Sequence, residues 1–307
     1  MNKINKYLKK GLSLGIIVLF IVSGTFTSTG GVVKYGCKLG LIEPFSEDNG
    51  TEYWALIFAV GVYKYNPEEN RPGMLKAAEN LYEVLLASLQ WQEDHIHKVT
   101  GTKATGRRLI QELLWLIRSE DSDDMSLIYL TTHGTPLKGP LGNYLDLPPK
   151  DESDGADEIL IMYEGFNKWY AFVWDDLINF LLSLLQSKGV CLIVESCYAG
   201  GFNDEPMFTT PMTNDYTVES FAQGLSEELS GQNRVVLMSS TENELSYGSK
   251  FSEFLIDGFW GWADFLGNKD GINSAEEAFN YSKNWVYYDQ HPTILDLYPG
   301  EFPVTYS

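Results

Sequence analysis

The stretch "GVCLIVESCYAGGF", Gly189 to Phe202, decides how this chain is read. Apolar and β-branched residues run from Val190 to Val194, the pattern of a strand buried on both faces of a sheet. The run then stops on Glu195, Ser196 and Cys197, and Gly200 and Gly201 follow almost at once. A strand that only had to fill an interior would not end on a thiol flanked by residues too small to pack. The reading that fits is a strand that aims the thiol and glycines that leave room for a substrate beside it.

Working outward, similar runs recur at regular spacing. "YWALIFAVGV" (Tyr53–Val62), "MSLIYLTTHG" (Met125–Gly134) and "NRVVLMSSTE" (Asn233–Glu242) read as buried strands, and "DHIHKVTG" as a short one. Between them lie helical patterns. Residues 74–89 place Leu75, Ala78, Tyr82, Leu85 and Leu89 on one face. "ATGRRLIQELLWLIRS" aligns Leu109, Leu113 and Leu116, and "VWDDLINFLLSLLQS" follows with Asp175 as its expected N-terminal cap. Alternating strands and helices predict an α/β three-layer sandwich, a mainly parallel sheet with helices on both faces. No internal repeat or low-complexity linker interrupts residues 51–307, which read as one domain.

Composition narrows the function. The chain has 307 residues, 44% hydrophobic and 14% aromatic, which is enough for a large core. A net charge of −20 argues against nucleic acid as a partner, because the phosphate backbone would repel it. "MNKINKYLKK" carries four lysines, and an uncharged apolar run follows to Gly24. That is the layout of a secretory signal, with cleavage expected between Gly24 and Gly30. Left uncleaved, residues 11–30 would anchor the chain in a membrane, the one membrane contact the sequence suggests. Lys34 stands where a lipoprotein signal needs an aliphatic residue, so Cys37 is not read as a lipid site. Residues 31–50 then serve as a linker, and the domain lies outside the cytoplasm.

Export sharpens the cysteine question. Exported proteins usually pair their cysteines, yet this chain has three: Cys37, Cys191 and Cys197. Cys191 lies inside the apolar run and reads as a small buried hydrophobe. Six residues of extended strand hold it about 20 Å from Cys197, too far for a disulfide. Cys197 is left free at a strand end. In a parallel sheet, ligands bind at the carboxyl ends of the strands. Met125–Thr132 delivers His133 and Gly134 to such an end. If the two strands are neighbours, imidazole and thiol meet there, and the imidazole draws off the thiol proton to make the attacking thiolate. The backbone N–H groups of Gly134 and Cys197 would face a developing oxyanion. His95, His97 and His291 read as packing or surface residues.

"IYLTTHG" followed by "LIVESCYAGG" resembles the caspase-like cysteine peptidases, the group of caspases, metacaspases and legumains. The resemblance runs over about residues 52–300, and "DGINSAEEAFNYSKNW" and "HPTILDLYPGEFP" are similar to the tail of prokaryotic legumain-type members. It implies a six-stranded sheet, endopeptidase chemistry on protein or peptide substrates through a His/Cys dyad, and no essential third member; no cofactor is expected. Carried over by position, His133 is the acid/base, Cys197 the nucleophile and Gly134 an oxyanion donor. The group's pocket position, two before the nucleophile, is Glu195. A carboxylate there would take Arg or Lys before the cut. Legumains also carry glutamate there, with an arginine after the first strand, and prefer asparagine. Arg71 and Ser246 are the candidates for the matching walls. The resemblance leaves hydrolase, transpeptidase and inactive binding protein open.

Two other features read as structural. "NKDGINSAEE" hints at a calcium loop, but Leu266 occupies its first ligand position, so no metal is expected. Ser274 and Glu277 read instead as a capping box opening a helix to about residue 288. The acidic stretch Pro148–Glu158 reads as an exposed loop.

Overall fold

The apolar runs become the middle of the sheet, as burial on both faces requires. The computed structural model describes residues 50–138, 143–145, 147, 157–198, 229–239, 249–286 and 291–306, the side chains of Cys197 and Tyr198 excepted. Its strands are β1 (Tyr53–Ala59), β2 (Ile96–Thr100), β3 (Met125–Pro136), β4 (Glu158–Ile161), β5 (Phe172–Trp174), β6 (Gly189–Tyr198), β7 (Arg234–Ser239), β8 (Ile272–Ser274), β9 (Thr293–Asp296) and β10 (Pro303–Tyr306). The main sheet runs β2-β1-β3-β6-β7-β9. Every neighbouring pair in it is parallel except β7 with β9. The six-stranded expectation holds for this path. Among the described residues the sheet has eight strands, because β4 pairs antiparallel with the far end of β3, and β5 with β4. β8 and β10 form a separate antiparallel pair.

The pleat assigns the layers. Leu56, Phe58, Ile128, Leu130, Leu192 and Val194 face α2 (Gly106–Ser119) and α3 (Asp175–Leu182). The alternate residues Ala55, Ile57, Leu127, Tyr129, Cys191 and Ile193 face α1 (Pro72–Ala87), α4 (Lys250–Asp257) and α6 (Ala275–Val286). Between α4 and α6, a π-helical turn at Gly258–Trp262 leads into the short α5 (Ala263–Leu266). Helices therefore cover both faces, the three-layer arrangement expected.

Three local expectations are corrected. α1 stops at Ala87, and Leu89 beyond it is fully exposed; the buried stripe is Met74, Ala77, Ala78, Leu81, Val84 and Leu85. Asp175 is the first residue of α3, not its cap. Its buried carboxylate accepts the N–H of Glu158 at 2.9 Å, tying the helix to β4. The acidic stretch is not wholly a surface loop, since Asp157 and Glu158 are buried at the start of β4. Asp157 accepts the N–H of Leu147 at 3.0 Å. Among the described residues no helix is long and apolar enough to cross a membrane. The leader, the linker and Cys37 lie outside the described residues.

Candidate active site

β3 and β6 are adjacent and parallel, and their register sets His133 directly opposite Cys197 and Gly134 opposite Tyr198. Residues opposite one another on neighbouring strands have backbones about 4.8 Å apart and direct their side chains to the same face. As the run Met125–Gly134 suggested, His133 and Gly134 lie inside β3, which continues to Pro136, and they are held on their other edge by Ile161 and Leu160 of β4. That extra pairing fixes the backbone on which the imidazole rides.

The imidazole is buried, 4% exposed, and packs against the paired rings of Tyr63 and Phe166, whose centroids lie 5.0 and 5.6 Å from its own and 5.5 Å from each other. The backbone N–H of His133 donates to the Tyr63 hydroxyl at 2.9 Å. That hydroxyl donates in turn to Thr132 Oγ1 at 3.0 Å, which passes its own proton to the carbonyl of Ile161. On the ring, Nε2 lies 3.0 Å from the carbonyl oxygen of Glu69. A carbonyl only accepts, so Nε2 carries the proton and Nδ1 is the basic nitrogen. Nδ1 is buried and has no hydrogen-bond partner among the described residues. Burial pulls the imidazole pKa down to about 4; the Glu69 carbonyl opposes that shift and the Arg71 charge adds to it. At neutral pH the ring is an uncharged base.

Glu69 and Arg71 come from the loop between β1 and α1, which is braced on every side. Arg71 N–H donates to Gly61 at 2.9 Å, Tyr63 N–H to Asn70 Oδ1 at 2.7 Å, and Phe166 N–H to Asn66 Oδ1 at 3.1 Å. The Arg71 guanidinium lies 3.4 Å from the Glu69 carboxylate and donates to the Asn70 carbonyl at 3.0 Å. Arg71 thus reaches the site, but its ion-pair partner is Glu69 rather than Glu195.

Glu195 lies on β6 two residues before Cys197 and is 3% exposed. Its carboxylate accepts from the Tyr129 hydroxyl at 3.2 Å, from the Ser252 hydroxyl, and from the Ser252 N–H at 3.5 Å in the first turn of α4. Burial raises its pKa, opposed by hydrogen bonds from Ser252, Ser249 and Tyr129. Ser246 lies outside the described residues. Sequence reading missed Tyr63, Glu69 and Phe166. The signal for the first two was the polar loop "YKYNPEENRPG" that follows a buried strand at its carboxyl end, where sites in such sheets are built.

Other candidates prove structural. Cys191 is fully buried and burial pushes its thiol well above the usual range. His95 and His97 stack on Trp54 and Trp115, at 3.7 and 3.4 Å between ring centroids. Among the described residues, the one acidic group compact enough for a metal is Asp121, Asp123 and Asp124. Asp124 already accepts the N–H groups of Glu52 and Asp121 and of the Trp54 indole, which pin the starts of β1 and β3. In the "NKDGINSAEE" loop, Ser274 Oγ accepts the Glu277 N–H at 3.1 Å, half of the expected capping box. The Glu277 carboxylate accepts from Asn268 N–H at 2.9 Å. A cleft of about 700 Å³ is lined by Trp260, Trp262, Phe265 and Tyr306 among others, and by neither His133 nor Cys197.

No family model matches the chain. Metacaspase-4 of Arabidopsis thaliana is 23% identical over 138 residues, which is 43% of this chain and 30% of that protein. Among solved structures, caspase-1 of Spodoptera frugiperda superposes with a TM-score of 0.51 at 11% identity, covering 83% of this chain and 90% of its own. A structural-genomics protein from Geobacter sulfurreducens gives 0.54 at 15% identity, covering 83% and 99%. The chain has the caspase-like fold.

Proposed function

We propose that this protein is a cysteine endopeptidase in which His133 and Cys197 form the working pair. The observation that carries the reading is the register of β3 on β6, which sets a neutral imidazole opposite the cysteine with Nδ1 as its base. Nδ1 takes the thiol proton, and the thiolate attacks the scissile carbonyl. The oxyanion that forms is met by the N–H groups of Gly134 and Cys197. The imidazolium then gives its proton to the departing amine, and water or a second amine resolves the thioester. Transfer to an amine would make the protein a transpeptidase.

The sequence favours Arg or Lys before the cut through Glu195, but the geometry shifts the weight to asparagine. Glu195 is enclosed and engaged by neutral donors, so its charge is not free for a guanidinium. Arg71, half open at the site, suits the carbonyl oxygen of a carboxamide. The lysine-rich, apolar start of the chain supports work outside the cytoplasm, whether the protein is released or anchored through residues 11–30.

A positional peptide library with mass-spectrometric readout, together with a thiol-directed acylating probe, tests this reading. Cys197→Ala should abolish turnover and labelling, and Cys191→Ala should keep both. Labelling lost in the Cys191 variant and kept in the Cys197 variant would remove the assignment. A library in which neither asparagine nor basic residues are enriched would remove Glu195 and Arg71 from the pocket.

A further inference from the structure

We propose that the side-chain carboxylate of Glu69 is a positioning residue that supplies the counter-charge for His133, and that Arg71 holds this carboxylate in place. The proposal rests on the reading of His133 as the base for Cys197. Three distances carry it. The Glu69 carbonyl lies 3.0 Å from Nε2, the carboxylate of the same residue lies 3.9 Å from Nε2, and Arg71 lies 3.4 Å from that carboxylate oxygen. One residue therefore offers the ring both a neutral acceptor and a full negative charge.

The need for that charge follows from the enclosure. An imidazole buried against two aromatic rings is favoured neutral, and becomes a cation only when it takes the thiol proton. The proton moves from Cys197 to Nδ1, while Nε2 keeps its own proton and donates it to the Glu69 carbonyl, so the ring gains one positive charge. Among the described residues, the charged and titratable groups placed around it are Glu69 and Arg71 on the loop, Tyr63 beneath its backbone, and Cys197 on β6; Phe166 packs beside Tyr63 without charge. Of these, Glu69 is the group that stabilises the imidazolium, and Arg71 is the one that opposes it. Arg71 also prevents the carboxylate from swinging away to solvent. The loop thus sets the strength of the base by the balance of two side chains two residues apart.

The test is the pH dependence of Cys197 alkylation by iodoacetamide, measured on the full chain carrying Cys37→Ser. Its acid limb reports the imidazole. An opposite charge at this range shifts a pKa by about one unit or more. Glu69→Gln leaves the backbone carbonyl in place, should move the acid limb down by about one pH unit, and should lower the plateau rate about tenfold or more. Arg71→Gln should move the limb up. Glu69→Asp, which keeps the charge, should recover most of the wild-type profile. A loop that was only structural would not give opposite shifts. Profiles of Glu69→Gln and Arg71→Gln that superpose on wild type, while His133→Ala still abolishes the pH-dependent reaction, would overturn the role of Glu69. A His133→Ala variant that alkylates as fast as wild type would instead overturn the underlying pair.

Discussion

Two carboxylates flank the proposed pair from opposite sides, and their surroundings differ in kind. On the β6 side, Glu195 is sealed in and held by neutral donors from Tyr129 and the first turn of α4. On the side of the loop before α1, Glu69 is partly open and held by a cation, with its backbone and its side chain both turned to His133. An acid fixed by hydroxyls inside the protein works as an anchor between elements. An acid fixed by an arginine at the edge works as an adjustable charge. The motif position that sequence comparison highlights is thus the structural one in this chain, and the unremarked loop acid is the electrostatic one.

The comparison breaks most directly by truncating both acids. Glu195→Ala should cost about 2–4 kcal/mol, because it removes the acceptor shared by Tyr129 and Ser252, whose hydroxyls can then pair only with each other, leaves one hydroxyl proton and the Ser252 N–H unpaired, and opens a void between β6 and α4. Glu69→Ala should cost about 0.5 kcal/mol or less, the scale of an exposed ion pair. Urea unfolding measures both, and equal losses would erase the distinction. A smaller effect is expected from Tyr63→Phe. It removes the hydroxyl that accepts from His133 and donates to Thr132, and should cost about 1–2 kcal/mol. It should also slow alkylation of Cys197 without shifting its acid limb, which separates holding the backbone from tuning the ring.

The smallest effect is in the pH dependence of stability. Burial raises the Glu120 and Glu276 carboxyls to about 7, from 4.5. The folded state then binds more protons than the unfolded one between those values, so these two groups make stability fall as pH rises from 4.5 through 7. His133, lowered to about 4, acts oppositely: its unfolded form binds more protons, and stability rises from pH 4 to 6.5. Glu195, whose pKa burial also raises, adds to the fall; with these carboxyls against one imidazole, the melting temperature should drop by a few degrees between pH 5 and 7. Glu120→Gln should flatten that slope, while Glu69→Gln should leave it nearly unchanged. A slope unaffected by Glu120→Gln would place the buried acid elsewhere.

Much of this was legible because two-sided burial leaves a strong mark. The runs from Tyr53, Met125, Gly189 and Arg234 could be little else than central strands, and their order put His133 and Cys197 at one edge. What could not be read depends on contacts between distant segments. The fate of Glu195 is decided by Ser252, 57 residues later, and nothing local to "VESC" announces a hydroxyl cage. The helix from Pro72 was read two residues too far, because Leu89 extends the apolar spacing although the chain has already left the helix at Ser88. Glu69 and Tyr63 lie in a loop without periodicity, where pattern carries no information and only the braced geometry reveals a role.

Cys191 offers a use that has nothing to do with catalysis. Its sulfur is sealed in the middle of the sheet on the face covered by α1, α4 and α6. A reagent can reach it only when those layers part. With Cys197 blocked by a covalent inhibitor and Cys37 replaced, the protein carries one silent thiol whose modification rate is a clock for opening of the sheet. Read against temperature or denaturant, that clock would time how long the folded state survives before it lets water in.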